Sequence, residues 1–158
     1  MLKTLSRLAL CGLLTALIGP AIAEPDAEPD AARELPEVHV YKTPTCGCCG
    51  KWVEHLRAHG FPVRTTDLPR LDSVKQQNGI PRGLSSCHTA IVGSYVIEGH
   101  VPAGDIARLL EEKPAVSGLA VPRMPRGSPG MEGPNPVRYR VLAFDSDANI
   151  TTFATHGP

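Results

Sequence analysis

Val38-His39-Val40-Tyr41-Lys42-Thr43-Pro44-Thr45-Cys46-Gly47-Cys48-Cys49-Gly50-Lys51-Trp52 is the stretch on which the reading of this chain turns. The β-branched and aromatic residues from Val38 to Tyr41 predict a strand, which Thr43-Pro44-Thr45 ends in a turn. From Gly50 to Gly60, Trp52, Val53 and Leu56 fall on one face at helical spacing, and Gly60 supplies the stop. Three sulfurs therefore sit where a strand reverses into a helix. There the positive end of the helix dipole and the unpaired backbone N–H groups favour thiolates. A cluster of thiolates implies soft-metal or redox chemistry.

Further along, Phe61, Val63 and Thr65 alternate as in a strand, and Leu71 to Asn78 reads as a short helix that exits at Gly79 and Pro81. His88 to Val92 and Tyr95 to Glu98 predict two strands joined at Gly93-Ser94 as a hairpin. Ile106, Leu109 and Leu110 line one face of a helix closed by Pro114. Ala115 to Pro136, dense in Pro and Gly and carrying Met124 and Met131, reads as a long ordered loop or a lid. Arg138 to Phe144 and Ile150 to Phe153 predict a last strand pair. A βαβ unit followed by a hairpin and a helix, with cysteines at the first strand-to-helix junction, is the order of an α/β thioredoxin-like core. That topology brings the Ser86-Cys87-His88-Thr89 loop beside the start of the first helix, so a fourth sulfur faces the other three.

At 158 residues the chain has room for one domain with an aliphatic core. Lys3 and Arg7, the apolar stretch Leu8 to Ile18 and then Ala21-Ile22-Ala23 follow the order of a secretory signal, with cleavage after Ala23. The apolar stretch is too short, and too soon followed by Pro20, for a permanent membrane anchor. Cleavage removes two cations and no acid from a chain with 16 basic and 16 acidic residues, so the mature formal charge is −2. Such a balance does not recruit nucleic acid. Residues 24–36, rich in Ala, Pro, Asp and Glu, read as a flexible tether, with the folded domain spanning 37–158. Cys11 leaves with the signal. Cys46, Cys48, Cys49 and Cys87 remain in an exported, oxidising compartment, taken here as the periplasm.

Four chemistries compete for these cysteines. Cys46 and Cys49 form a C-x-x-C pair able to close a disulfide at a helix start, which opens a thiol-disulfide oxidoreductase or arsenate-reductase-like activity, yet Cys48 between them offers a rival partner. A mononuclear zinc site draws on two separated chelating pairs, whereas Cys48 and Cys49 are adjacent and leave a helix start about 100° apart. Iron–sulfur clusters need assembly before export. Adjacent thiolates that diverge, flanked by Cys46 and Cys87, suit sulfurs bridging several Cu(I) ions. A plain disulfide framework joining Cys46 to Cys49 and Cys48 to Cys87 is the structural alternative.

The segments Tyr41 to Trp52, Ser86-Cys87-His88-Thr89-Ala90, Val96-Ile97-Glu98-Gly99-His100-Val101-Pro102, and Met124-Pro125 through Gly130-Met131-Glu132-Gly133 resemble the CopG-type periplasmic copper-resistance proteins of Gram-negative bacteria. The resemblance runs from about Val38 to the C-terminus. It implies a thioredoxin-like fold, a cysteine-bridged copper cluster at the C-x-C-C motif, and a role in copper tolerance that includes copper redox chemistry. All four mature cysteines match the family's pattern, so the resemblance carries them over as candidate metal ligands. Candidate partners are copper ions and other periplasmic copper-handling proteins.

Other side chains carry two readings each. His88, next to Cys87, is a ligand or proton carrier, or else a core residue, because successive strand side chains point to opposite faces. His100 lies just past a strand, where a surface turn histidine is the ordinary expectation and ligation the alternative. Met124 and Met131 are Cu(I) thioether ligands or core plugs. Trp52 reads as core. His39, His55, His59 and His156 read as surface or packing residues.

Overall fold

The computed structural model describes residues 34–158; the expected leader, its cleavage site, Cys11 and most of the tether lie outside the described residues. One seven-stranded sheet organises the domain, in the order β2-β1-β3-β4-β5-β6-β7. β1 (Val38–Lys42) leads through α1 (Gly47–Ala58) to β2 (Val63–Asp67), which pairs with β1 in parallel. α2 (Asp72–Gln77) and a single 3₁₀ turn (Arg82–Leu84) precede the antiparallel hairpin of β3 (Thr89–Val92) and β4 (Tyr95–Gly99). α3 (Ala103–Glu112) then crosses to β5 (Gly118–Val121), parallel to β4, and β6 (Tyr139–Phe144) and β7 (Ile150–His156) complete the sheet as an antiparallel pair. This is the α/β thioredoxin-like arrangement with an added C-terminal strand pair. Among the described residues, no helix is long and apolar enough to cross a membrane.

Alternation along the strands gives the sheet two apolar faces. Val38, Val40, Ala90, Val92, Ile97 and Leu119 point to one side, where they bury against Trp52, Val53 and Leu56 of α1 and Ile106 and Leu109 of α3. Each such aliphatic side chain contributes roughly 1.5–3 kcal/mol by leaving water. Val96, Ala120 and Phe144 point to the other side and meet Leu84. Leu35, ahead of β1, packs onto the first face as well. The apolar stripe of α1 follows the 3.6-residue period, but the helix starts at Gly47, three residues before the expected Gly50. Cysteine carries no capping signal, and Cys46 nonetheless occupies the N-cap.

The stretch from Ala115 to Pro136 is not wholly loop, as the sequence reading had it: Gly118–Val121 forms β5, buried along its whole length. Four residues between proline-rich flanks are too short to show a period. Antiparallel pairing of β1 with β3 sets Tyr41 opposite Thr89, so the exit of β1, where the cysteines lie, adjoins the entrance to β3, where Cys87 lies.

Candidate metal centre

The first turn of α1 carries three of the four sulfurs. Cys46 caps the helix, and Cys48 and Cys49 follow inside it; no acidic residue and no side-chain cap competes for the free N–H groups. Cys46 and Cys49 are joined as a disulfide, and Cys48 and Cys87 are free thiols. Half of the structural alternative is thus realised, and the Cys48–Cys87 half is not. The Cys48 sulfur lies 3.5 Å from Cys46 Sγ, and Cys49 Sγ lies 3.8 Å from the Cys87 carbonyl. All four sulfurs fall within 4.8 Å of one another. Such a set can hold a metal ion, and its chemistry is that of a soft acceptor.

Cys87 also belongs to a second group, with His88 and His100. His100 Nδ1 lies 2.7 Å from the Pro129 carbonyl, which can only accept, so Nδ1 carries the proton and Nε2 presents its lone pair to Cys87 Sγ at 3.0 Å. His100 is fully buried, which corrects its reading as a surface turn residue. The reason is tertiary: Ser128, Pro129 and Gly130 fold over it. Gly130 has a φ of +84°, and a Cβ there would meet Cys48 O at 2.6 Å and Trp52 N at 3.0 Å. Only glycine lets this loop lie on the start of α1.

His88 is buried as well, with Nδ1 3.3 Å from Cys87 Sγ. It precedes β3 and so escapes the alternation that would turn it away from its neighbour. With the Cys87 proton directed at His100, His88 Nδ1–H donates to the sulfur. That leaves His88 Nε2 buried without a hydrogen-bond partner among the described residues. Trp52 is in the core, its Nε1 donating to Val101 O at 2.8 Å, and its ring packs against that of His88 at a tilt of 40°, with centroids 4.3 Å apart. Met124 is 47% exposed and its sulfur lies 3.9 Å from Cys48 Sγ, so it borders the cysteines rather than plugging the core. Met131 is half-buried in the same loop and makes only backbone hydrogen bonds there.

Behind Cys87 stands a group to which the sequence reading assigned no role. Glu98 on β4 is completely buried, yet it holds three partners: Lys75 of α2, the Ser86 backbone N–H, and the Thr89 hydroxyl at 2.7 Å. These partners flank Cys87 on both sides. Ser86 Oγ in turn donates to the Arg123 carbonyl, tying the Cys87 loop to the segment that carries Met124. An acidic residue in the apolar run Tyr95-Val96-Ile97 was the available signal.

The electrostatics favour the neutral forms of Cys87 and His88 in the metal-free protein. Burial, followed by the charge and the hydrogen bonding of Cys48, pushes the Cys87 thiol up to about 12. Burial, followed by the charges of His100 and Lys75, holds His88 well below the usual 6.5. Burial lowers His100 and His55 as well. A depressed histidine is neutral when folded and takes up a proton when unfolded below pH 6.5. Stability is therefore complete above that pH and declines below it. His88 alone is expected to remove up to about 2 kcal/mol between pH 7 and 5. Denaturant midpoints of the metal-free protein across that range check this; a flat profile overturns it.

Comparisons with known proteins place this geometry. The profile of a family described as a protein of unknown function, DUF411, matches residues 84–131, the segment from the 3₁₀ turn through the Met124 loop. A solved structure entitled copper resistance protein copG, form 2, is 38% identical, covers 78% of this chain and 100% of its own, and superposes with a TM-score of 0.75. A second, form 1, is 37% identical, with 79% and 100% covered and a TM-score of 0.74. No curated protein matches.

Proposed function

The chain belongs to the copG family of copper resistance proteins, and from that premise we propose that it is a periplasmic Cu(I)-binding protein whose Cys46, Cys48, Cys49 and Cys87 thiolates bridge a polynuclear copper cluster. One observation carries the reading: four sulfurs from two separate elements converge within 4.8 Å. Cu(I) accepts two or three thiolates and tolerates bridging, whereas the adjacent Cys48 and Cys49 do not form a good chelate for one tetrahedral ion. His100 Nε2 and Met124 Sδ border the same space and are soft enough to complete the coordination. His88 Nε2 and Met131 stand farther from this argument.

Loading requires the reduced protein. Opening the Cys46–Cys49 disulfide consumes two electrons and two protons from an external dithiol, and each thiol then releases its proton to bind copper. Run in the other direction, the Cys46/Cys49 dithiol closes to the disulfide, releases two protons, and passes two electrons to two Cu(II) ions, giving two Cu(I). The disulfide favours this redox reading and also a second one, a thiol-disulfide oxidoreductase that uses the Cys46/Cys49 pair with Cys48 dispensable.

Anaerobic Cu(I) titration of reduced and of disulfide-intact protein, with copper counted after exposure to a strong chelator, tests the proposal. The reduced form is expected to retain more than one copper per chain and the disulfide form fewer. A count near zero in the reduced form ends the reading.

A further inference from the structure

Beside the cysteines, the sheet is incompletely covered. α2 and the 3₁₀ turn shield the β3–β4 side of one face, but over β5, β6 and β7 an open groove of about 800 Å³ is left, running from Gly83 to Thr155 with Leu142 between. Arg123, Arg138 and Arg140 line it, and no aspartate or glutamate does. All three arginines are exposed, and none has an acidic partner among the described residues. Residues 37–158 carry 13 basic and 11 acidic side chains, a nearly even balance, so three unpaired arginines along one groove are a local concentration of positive charge.

Two features give the groove direction. Arg138, immediately before β6, and Arg140, its second residue, both line the groove two positions apart, roughly 7 Å along an extended chain. Arg123 takes a left-handed backbone conformation, φ 64°, unusual for a side chain of its size and held in place by Ser86 Oγ on its carbonyl. The residue after it, Met124, lines the groove and also touches Cys48.

We propose that this groove docks an extended, aspartate- and glutamate-rich segment of a partner protein that exchanges copper with the cysteine cluster. Guanidinium groups fork onto carboxylates, and three of them spaced along a channel match a chain bearing carboxylates at alternate positions better than a single small anion. Docking there sets the partner's own metal site against Met124 and Cys48. The copper half of this statement rests on the function proposed above; the docking half does not.

The test uses the mature protein and a fluorescent eight-residue peptide of alternating Asp and Ser, with its Asn/Ser counterpart as control. Anisotropy is expected to show binding of the Asp peptide alone, weakening with added salt. The charge reversal Arg138→Glu/Arg140→Glu is expected to weaken it at least ~10-fold, and the neutral Arg138→Gln/Arg140→Gln also, more mildly. Arg70→Glu, beyond the opposite edge strand β2, is expected to leave it within ~2-fold. Circular dichroism checks that each variant is folded, and copper counts establish that the cluster is intact. Equal losses in the Arg70 and groove variants, or displacement of the peptide by citrate at the same concentration, overturn the proposal. Zero copper in the parent protein would sink the function proposed above while leaving the docking result standing.

Discussion

Glu98→Ala is expected to destabilise the protein by about 3–5 kcal/mol, because it leaves the Lys75 ammonium and the Ser86 N–H without their shared acceptor inside the fold. The carboxylate itself is fully buried, so water does not replace it. On the scale of a domain this size the loss corresponds to roughly 10–20 °C in Tm. Glu98→Gln keeps the shape and an acceptor oxygen but loses the charge, so its effect should be smaller. Glu98→Leu with Lys75→Met removes both charges and should recover part of the stability, although Ser86 N–H and Thr89 Oγ1 then lose their acceptor. Urea melts of the disulfide-intact, metal-free proteins read the difference. A cost below about 1 kcal/mol for Glu98→Ala would show that the pair is compensated from elsewhere. The functional corollary is local: with Ser86 and Thr89 released, the loop between them no longer has a fixed position for Cys87.

The contrast between Glu98 and Cys87 marks what a sequence discloses. Cys87 was legible as a neighbour of the C-x-C-C motif because strand order alone brings the start of β3 to the end of β1. The α1 stripe of Trp52, Val53 and Leu56 was legible because a helix buries one face at a fixed period. His100 was not. Its local sequence, Gly99-His100-Val101-Pro102, spells a turn, and only the Pro129–Gly130 segment, some thirty residues later, converts that turn into an interior site. β5 escaped for a related reason: its four residues acquire strand character from β4 and β6 on either side rather than from a period of their own. The disulfide between Cys46 and Cys49 was available from spacing as one option, but spacing gives no preference between two oxidised thiols and two ligands.

In reduced protein, Cys48→Ser is expected to lower the number of bound Cu(I) ions by at least one, and Cys87→Ser to abolish the stabilisation that copper confers. The two residues differ in what they connect. Cys48 sits in the first turn of α1, 3.5 Å from Cys46 Sγ and 3.9 Å from Met124 Sδ, so it occupies the middle of the sulfur array. A serine oxygen there is a hard donor that Cu(I) does not favour. Cys87 is the only one of the four outside the Cys46–Cys49 turn, so a metal bound through it ties the β3 entrance to α1. A ligand that binds the native state and not the unfolded one adds about 4 kcal/mol at a thousandfold excess over its dissociation constant. Without Cys87 the remaining thiols form one short loop that binds copper almost as well when unfolded, and that difference disappears. A thiol-disulfide enzyme predicts the reverse ranking, with Cys46 and Cys49 indispensable and Cys48 and Cys87 silent. Copper counts together with Tm values of the apo and loaded variants therefore separate the two readings: an unchanged count in Cys48→Ser, or a full copper-induced Tm rise in Cys87→Ser, would remove the bridged cluster from consideration.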